Sequence, residues 1–232
     1  MILALATLAA YLQACAPSVA PDTMRAIISV ESRGYIYAIN DNTIRATYCV
    51  PGAAMYPCNR DQAASLAENA VRSGHSVDVG IAQVNSGNFR TYGVRATQML
   101  DACENLRVGS KILASTYQQS RARFADDRAA LWHAIMAYNT GSLFAGEGYV
   151  QSVVRAAFGN DGPTVPSVAI LRSSGLEPYH LGSVAPHGEE TVARPHVRHR
   201  MSPRSAPLLA EGLEISGQGG GVLETLRAAL SH

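Results

Sequence analysis

The composition of the chain changes near residue 160, and this boundary limits how much of the chain can form a packed core. Before the boundary, apolar residues recur at helical spacing between short turn signals. After it, prolines are frequent among scattered serines, histidines and arginines, and three glycines stand together at positions 219–221. A segment with few periodic apolar residues buries too little surface to offset the entropy lost on ordering. We predict a folded domain over residues 1–160 and a disordered tail over residues 161–232, with room for one short helix at 222–230.

Apolar residues spaced three and four apart predict five helices within the folded part. Asp22 is the expected N-cap of the first, Asp126 or Asp127 caps the fourth, and Gly74 and Gly141 end the second and fourth. Residues 35–57 show no helical period, which indicates a short hairpin or an irregular lobe. The predicted fold class is mainly α, a single helical domain with a small non-helical lobe. The predicted helices cover residues 22–34, 61–72, 104–121, 126–141 and 147–158.

The N-terminal segment has two competing interpretations. Residues 1–11 form an apolar run that is long enough for the core of a signal peptide but too short to span a bilayer. No basic residue precedes this run, and residues 12–15 only loosely resemble a lipoprotein cleavage box. Leucines recur at near-helical spacing up to Leu12, and a turn signal follows at residues 17–18. We favour a first helix of the folded domain, with the export signal absent from this sequence.

Charge and residue usage exclude several classes of function. A net charge of +1 gives no electrostatic basis for binding nucleic acid, and Lys111, the only lysine, is hard to place as a phosphate-binding or Schiff-base residue. Cys15, Cys49, Cys58 and Cys103 form no CxxC pair, and five of the seven histidines lie irregularly in the tail, so we predict no metal site. An even number of cysteines fits two disulfides in an oxidising compartment. The alternative is four buried free thiols.

Glu31 is the first candidate for chemistry. It shares one side of its predicted helix with Ile27 and Ile28, which lie four and three residues before it. Burial against apolar groups would raise the pKa of the Glu31 carboxyl, and a carboxylic acid that keeps its proton near neutral pH can act as a general acid. The competing interpretation is a glutamate at a helix end that reaches solvent.

Two further segments carry polar side chains among apolar ones. Gln83 and Asn85 alternate with apolar residues after Gly80, so both amides can face one cleft, where they could bind sugar hydroxyls or acetamido groups. Tyr138 extends the apolar face of its helix, so its hydroxyl should be buried and need a partner. Taken singly, the first segment also fits an ordinary loop, and the second fits a core tyrosine followed by a helix C-cap.

Taken together, these segments resemble the signature of the soluble lytic transglycosylase family (SLT domain), over roughly residues 10–158. Further similarity at residues 15–21, 76–80 and 103–107 is closest to the branch found in type IV secretion and conjugation systems. The middle motif departs from the commoner Gly-Leu-Met-Gln, and the smaller Ala82 implies a more open cleft wall. The matching motifs are Glu31-Ser32-Arg33-Gly34, Gly80-Ile81-Ala82-Gln83-Val84-Asn85 and Ala137-Tyr138-Asn139-Thr140-Gly141.

The resemblance implies an α+β lysozyme-like fold, a periplasmic location and a reaction on peptidoglycan glycan strands. Glu31 would protonate the oxygen between N-acetylmuramic acid and N-acetylglucosamine. It would then deprotonate the muramic C6 hydroxyl, which attacks the anomeric carbon and leaves a 1,6-anhydro product. No cofactor is needed, and no metal takes part.

The resemblance also implies roles for the residues around Glu31. Tyr138 would lie near Glu31 and orient it, while the remaining matched polar residues would contact sugar or hold the cleft. Cys15 would pair with Cys103. Cys49 and Cys58 lie in the variable lobe, and a bond between them would be an additional loop staple that departs from the commoner pattern. The residues expected to bind substrate are Ser32, Gln83, Asn85, Tyr138 and Asn139.

Asp78 keeps a second chemistry open. It lies two residues before Gly80. If it faced Glu31 as a second carboxylate, the protein would be a hydrolytic muramidase that cleaves the same bond with water. In the competing interpretation, Asp78 only holds a backbone turn. A third alternative is a non-catalytic assembly factor that binds peptidoglycan. The disordered tail could contact secretion-system proteins by folding on binding.

Overall fold

The computed structural model describes residues 1–161, which contain seven α-helices and a four-stranded sheet. The predicted tail and its short helix at 222–230 lie outside the described residues. Three 3₁₀ turns connect the elements, at Ser86–Asn88, Gln98–Leu100 and Gly159–Asp161. The elements are α1 (Leu5–Cys15), α2 (Pro21–Glu31), β1 (Ile39–Asp41), β2 (Ala46–Tyr48), α3 (Arg60–Arg72), β3 (Val77–Val79), β4 (Val84–Asn85), α4 (Phe89–Tyr92), α5 (Ala102–Arg121), α6 (Asp127–Thr140) and α7 (Glu147–Phe158).

The N-terminal segment is part of the fold. Helix α1 is present, as predicted, and its buried face contains Leu8, Leu12 and Cys15. Ahead of it, Ile2 pairs with Tyr35 in an isolated β-bridge. Within residues 1–161, no helix has both the length and the apolarity that a membrane span requires.

The predicted cap of α2 was wrong. The N-cap is Ala20 rather than Asp22, and Pro21 occupies the first turn. Proline suits this position because its φ is already helical and its missing N–H has no intrahelical partner there. Asp22 lies one residue further in and pairs with Arg25 at 2.9 Å, where its charge still complements the helix N-terminus.

The other predicted helices are present with shifts of one or two residues at their ends. Helix α3 begins with a capping box between Asn59 and Gln62, which satisfies two backbone donors reciprocally. Asp101 caps α5, and Asp126, rather than Asp127, caps α6. The φ of Gly141 is 69° where α6 ends. These local signals determine where each helix starts and stops, while packing determines where it lies.

The core is built around the antiparallel contact of α5 with α6. Helix α5 buries one face along its length, and α6 is buried nearly all round because other elements cover it. Helix α7 packs against both α6 and α2, and this second contact places α7 beside the C-terminus of α2. The buried side chains at the centre include Leu106, Val108, Ile112, Leu113, Leu131, Ala134, Ile135 and Tyr138.

The small sheet has the strand order β2-β1-β3-β4, with every pairing antiparallel. The predicted hairpin is the pair β1–β2. Strands β3 and β4 were not predicted, because three and two residues are too few for a period of two to be visible. The register sets Asp78 opposite Asn40 on one side and opposite Asn85 on the other, which builds part of the site described below.

Two disulfides are present, and the described residues contain no free cysteine. Cys15 bonds to Cys103 and ties the end of α1 to the start of α5, while Cys49 bonds to Cys58 and closes the loop after β2. Both implied pairings are confirmed, and the free-thiol alternative is wrong.

Candidate active site

A pocket of about 350 Å³ opens between the C-terminus of α2, the sheet and the end of α6. Its wall combines amide and hydroxyl side chains with apolar ones, and it contains two acidic residues and one arginine. Such a mixture suits a ligand that offers both ring faces and hydroxyl groups. The lining residues are Val30, Glu31, Ser32, Arg33, Ala38, Asn40, Asn42, Thr47, Val50, Pro51, Asp78, Gln83 and Asn139.

Glu31 is the last residue of α2 and stands half-buried on the pocket wall. Ile27 and Ile28, on the same side of the helix, are fully buried beneath it, as their spacing predicts. The Tyr149 hydroxyl donates a hydrogen bond of 2.6 Å to Glu31 Oε1. Glu31 is therefore fixed by its helix and by a group from α7, and it remains accessible to a ligand.

Ser32 is buried and holds the end of α2 in place. Its hydroxyl donates to the Ile81 carbonyl at 2.7 Å and accepts from the Gly34 N–H at 3.1 Å. The first of these bonds joins α2 to the turn between β3 and β4. Ser32 lines the pocket, as predicted for a substrate-binding residue, but its hydroxyl also connects two walls of the site.

The β3–β4 turn carries Gln83 into the pocket. The φ of Gln83 is 49°, an uncommon conformation for a residue with a side chain. Its Nε2 donates to the carbonyls of Ala38 at 3.0 Å and Gly80 at 2.8 Å. The side chain is therefore held in one position on the wall.

Buried Asn105 of α5 clamps the same turn. Its Oδ1 accepts from the Ala82 N–H at 2.7 Å, and its Nδ2 donates to the carbonyls of Val79 at 2.8 Å and Met99 at 2.9 Å. Every one of these groups is away from water, so each needs its partner. The role of Asn105 is not visible in the sequence: its segment at 103–107 is part of the resemblance, but no local pattern shows which groups its amide bonds.

Asp78 lies on the pocket wall with only 2% of its surface exposed. Its Oδ2 accepts from Asn42 Nδ2 at 2.9 Å and from Asn40 Nδ2 at 3.4 Å, and its Oδ1 accepts from Asn85 Nδ2 at 2.8 Å. An ionised carboxylate only accepts hydrogen bonds, so this cradle of three amides suits a charged aspartate. Asp78 and Glu31 thus line one pocket.

Asn85 does not face the pocket together with Gln83, although its alternation with apolar residues predicted this. It is buried and absent from the pocket lining, and its amide bonds to Asp78 and to Ser76 Oγ at 3.0 Å. The residues between Gly80 and Gln83 form a turn rather than a continuous strand, so alternation does not carry across it. Asn85 supports the wall from behind.

Tyr138 and Asn139 end α6 beside the turn. The Tyr138 hydroxyl is buried and donates to the Ala82 carbonyl at 2.7 Å, as expected for a core tyrosine that needs a partner, while Asn139 lines the pocket. A tyrosine hydroxyl that was not among the predicted site residues, that of Tyr149, donates to Glu31 Oε1. These two residues are 118 positions apart, and only the packing of α7 on α2 brings them together.

The model of the Transglycosylase SLT domain family matches residues 10–152. The chain is 38% identical over 149 residues to Protein virB1 of Agrobacterium fabrum (strain C58 / ATCC 33970), an alignment that covers 63% of this chain and 58% of that protein. It is 36% identical over 168 residues to the type IV secretion system protein virB1 of Brucella abortus biovar 1 (strain 9-941), covering 68% and 66%. The chain thus spans less than two thirds of the length of these relatives.

The virB1 protein of Brucella suis biovar 1 (strain 1330) is also similar, at 36% identity over 155 residues, covering 62% of this chain and 61% of that protein. No solved structure matches the chain. The family match includes all three motifs, with Glu31, Gln83 and Tyr138 inside it. On the extent of this match, the chain belongs to the Transglycosylase SLT domain family.

Proposed function

We propose that this protein is a lytic transglycosylase that cuts peptidoglycan glycan strands between N-acetylmuramic acid and N-acetylglucosamine. The observation that carries the proposal is the half-buried Glu31 carboxylate on the pocket wall, hydrogen-bonded to Tyr149. Membership of the SLT family supports the reaction type, and the names of the virB1 relatives support a role in type IV secretion. Its task would be to open the cell wall locally for a secretion or conjugation apparatus in the periplasm.

Glu31 acts twice in the proposed reaction. As an acid, it gives its proton to the glycosidic oxygen, and the N-acetylglucosamine leaving group departs with that proton. As a base, the resulting carboxylate takes the proton of the muramic C6 hydroxyl, whose oxygen bonds to the anomeric carbon. The 1,6-anhydro ring closes, Glu31 regains its proton, and no water is consumed.

The remaining pocket residues bind and orient the sugar in this proposal. Ser32, Gln83 and Asn139 hold or contact the substrate on the side of Glu31, and Asn40, Asn42 and Thr47 offer polar groups on the sheet. Asn85 and Tyr138 act through their contacts with Asp78 and the Ala82 carbonyl. No protein nucleophile is required, because the substrate supplies its own hydroxyl.

Asp78 supports a second candidate function. A buried carboxylate held by three amide donors on the wall of the same pocket could stabilise positive charge that develops at the anomeric carbon, or act on a water molecule. Those roles belong to a muramidase, which would hydrolyse the bond and leave a reducing muramic acid.

The product separates the two candidates. Purified peptidoglycan is incubated with wild type, Glu31→Gln and Asp78→Asn, and the fragments are analysed by mass spectrometry. We expect anhydro-muramic ends from wild type and a loss of about 10²–10⁴-fold in rate for Glu31→Gln. Glu68→Gln, an exposed substitution of the same type on α3, should retain activity.

Two other outcomes would change the assignment. Reducing muramic ends whose formation depends on Asp78 would replace the transglycosylase by the muramidase. Equal, measurable rates for Glu31→Gln and wild type would remove Glu31 as the acid, and the absence of any product from wild type would revive the non-catalytic assembly factor. A role for the tail in contacting secretion-system proteins is part of the proposal, and those residues lie outside the described part of the chain.

A further inference from the structure

Arg33 brings a positive charge to the pocket wall directly after Glu31 and Ser32. Its backbone φ is 54°, in the left-handed region, which costs energy for a residue with a side chain. The side chain is exposed, and it makes no hydrogen bond or ion pair with any residue from 1 to 161. The end of α2 thus presents a guanidinium at the cleft that has no partner within the described part of the chain.

The two acidic residues of the pocket are held by other groups. Glu31 accepts from the Tyr149 hydroxyl, and Asp78 accepts from Asn40, Asn42 and Asn85. The rest of the wall is neutral. A carboxylate or phosphate is the group that the planar fork of an arginine binds best, through two parallel N–H donors. The natural partner of Arg33 is therefore an anionic group of the ligand.

A pair of tyrosines continues the surface beside Arg33. The rings of Tyr35 and Tyr56 meet edge to face, with centroids 6.0 Å apart and planes at 81°. The neighbouring Tyr56 phenol raises the pKa of Tyr35, and the positive charge of Arg33 opposes this rise. Tyr56 is 45% exposed and lies in the Cys49–Cys58 loop, whose Val50 and Pro51 line the pocket.

Resting on the proposed function, we propose that Arg33 binds a carboxylate carried by the muramic acid side chain, and so selects muramic acid over N-acetylglucosamine at this position. N-Acetylglucosamine carries no charge, whereas muramic acid has a lactyl ether whose carboxyl is free when the peptide stem is absent. When the stem is present, the lactyl carboxyl is an amide, and the stem supplies carboxylates of its own. Both sources offer the same group to the guanidinium.

Binding to the inactive Glu31→Gln protein tests this inference separately from catalysis. Three glycan oligomers are compared by calorimetry: one free of stems, the same oligomer with its lactyl carboxyls converted to methylamides, and one that carries stems. When Arg33→Ala is added to the Glu31→Gln protein, we expect the affinity for a carboxylate-bearing oligomer to fall about tenfold. The affinity for the methylamide oligomer should not change. Arg33→Lys should lie between, because lysine keeps the charge but loses the fork.

Arg45→Ala is the matched control. Arg45 is also exposed, has a φ of 57° and lies outside the pocket lining, so its replacement changes net charge and backbone strain in the same way. If Arg33→Ala loses affinity only for the stem-free oligomer, the lactyl carboxylate is the group that Arg33 binds. If it loses affinity only for the stem-bearing oligomer, a carboxylate of the peptide stem is that group. The inference is overturned if Arg33→Ala leaves glycan binding unchanged, or if it weakens the binding of all three oligomers equally. The proposed function does not depend on this result, because product analysis tests it separately.

Discussion

The contact between the Tyr149 hydroxyl and Glu31 Oε1 links two helices at the reacting group. The backbone position of Glu31 is fixed, because Glu31 is the last residue of α2 and Ile27 and Ile28 in the preceding turn are buried. Tyr149 lies near the start of α7 and is partly buried. A hydroxyl in this position can hold the carboxyl in one rotamer and stabilise the charge that it acquires after giving up its proton.

We expect Tyr149→Phe to lower the rate about tenfold or more while leaving the fold intact. Since a donor to a carboxylate favours the ionised form, its loss should also move the alkaline limb of the pH–rate profile to higher pH. The measurement is peptidoglycan clearing across a pH series. Tyr11→Phe on α1, outside the pocket lining, is the control, and an unchanged profile for Tyr149→Phe would remove this residue from the mechanism.

The turn between β3 and β4 depends on close backbone packing. The φ of Gly80 is 83°, and a Cβ at this position would lie 2.2 Å from the Met99 carbonyl oxygen and 2.3 Å from Asn105 Nδ2. Both neighbours belong to the clamp that holds Ala82. The sharp turn therefore needs a glycine, and the position of Gln83 depends on it.

We expect Gly80→Ala to lower the free energy of unfolding by more than about 3 kcal/mol, because strain and overlap add. Gly74→Ala is the matched comparison: its φ is 77°, but nothing lies within 4 Å of the added Cβ, so we expect a loss of about 1 kcal/mol from strain alone. Urea denaturation with the disulfides intact measures both. Equal losses would show that the close approach at Gly80 is not the cause.

The α5–α6 core encloses an ionisable group that the proposed reaction does not use. His133 is fully buried, stacks on Phe124 with ring centroids 3.9 Å apart, and bonds through Nδ1 to the Leu143 carbonyl. Desolvation lowers its pKa, and the Leu143 bond opposes this only partly. The native state therefore holds His133 neutral under conditions in which the unfolded chain binds a proton.

This difference predicts how stability depends on pH. Below about pH 6.5, the ordinary pKa of histidine, the unfolded state takes up a proton that native His133 does not. The free energy of unfolding should therefore fall with decreasing pH, by at most about 1.4 kcal/mol per pH unit from this group. His133→Asn, whose amide can still donate to Leu143, should be less stable at neutral pH but show a smaller slope between about pH 7 and 5.5. Thermal melting measures the slope, and equal slopes would contradict the assignment.

Local signals in the sequence were enough to predict most of the secondary structure. Cap residues and apolar spacing predicted α3, α5, α6 and α7 to within one or two residues, whereas α2 ends at Glu31, three residues before its predicted end. The absence of a period at residues 35–57 predicted a hairpin or an irregular lobe, and β1–β2 is that hairpin. The wrong cap of α2 and the two unpredicted strands also have local causes. Asp22 has the side chain of a cap residue, but Pro21 starts α2 one residue earlier because its fixed φ suits the first turn. Strands β3 and β4 are too short to carry a period.

The sequence by itself determined the family, the helices and the candidate acid at Glu31, because each depends on neighbouring residues or on a motif. The pairing of the cysteines was only implied by the family resemblance, and the structure shows it. Only the tertiary structure decided which distant groups meet: Tyr149 beside Glu31, the asparagine cradle around Asp78, the Asn105 clamp, and Arg33 at the cleft with no side-chain partner among residues 1–161. The physical reason is that helix packing and strand register bring these residues together across up to 118 positions, and no local pattern records such a contact.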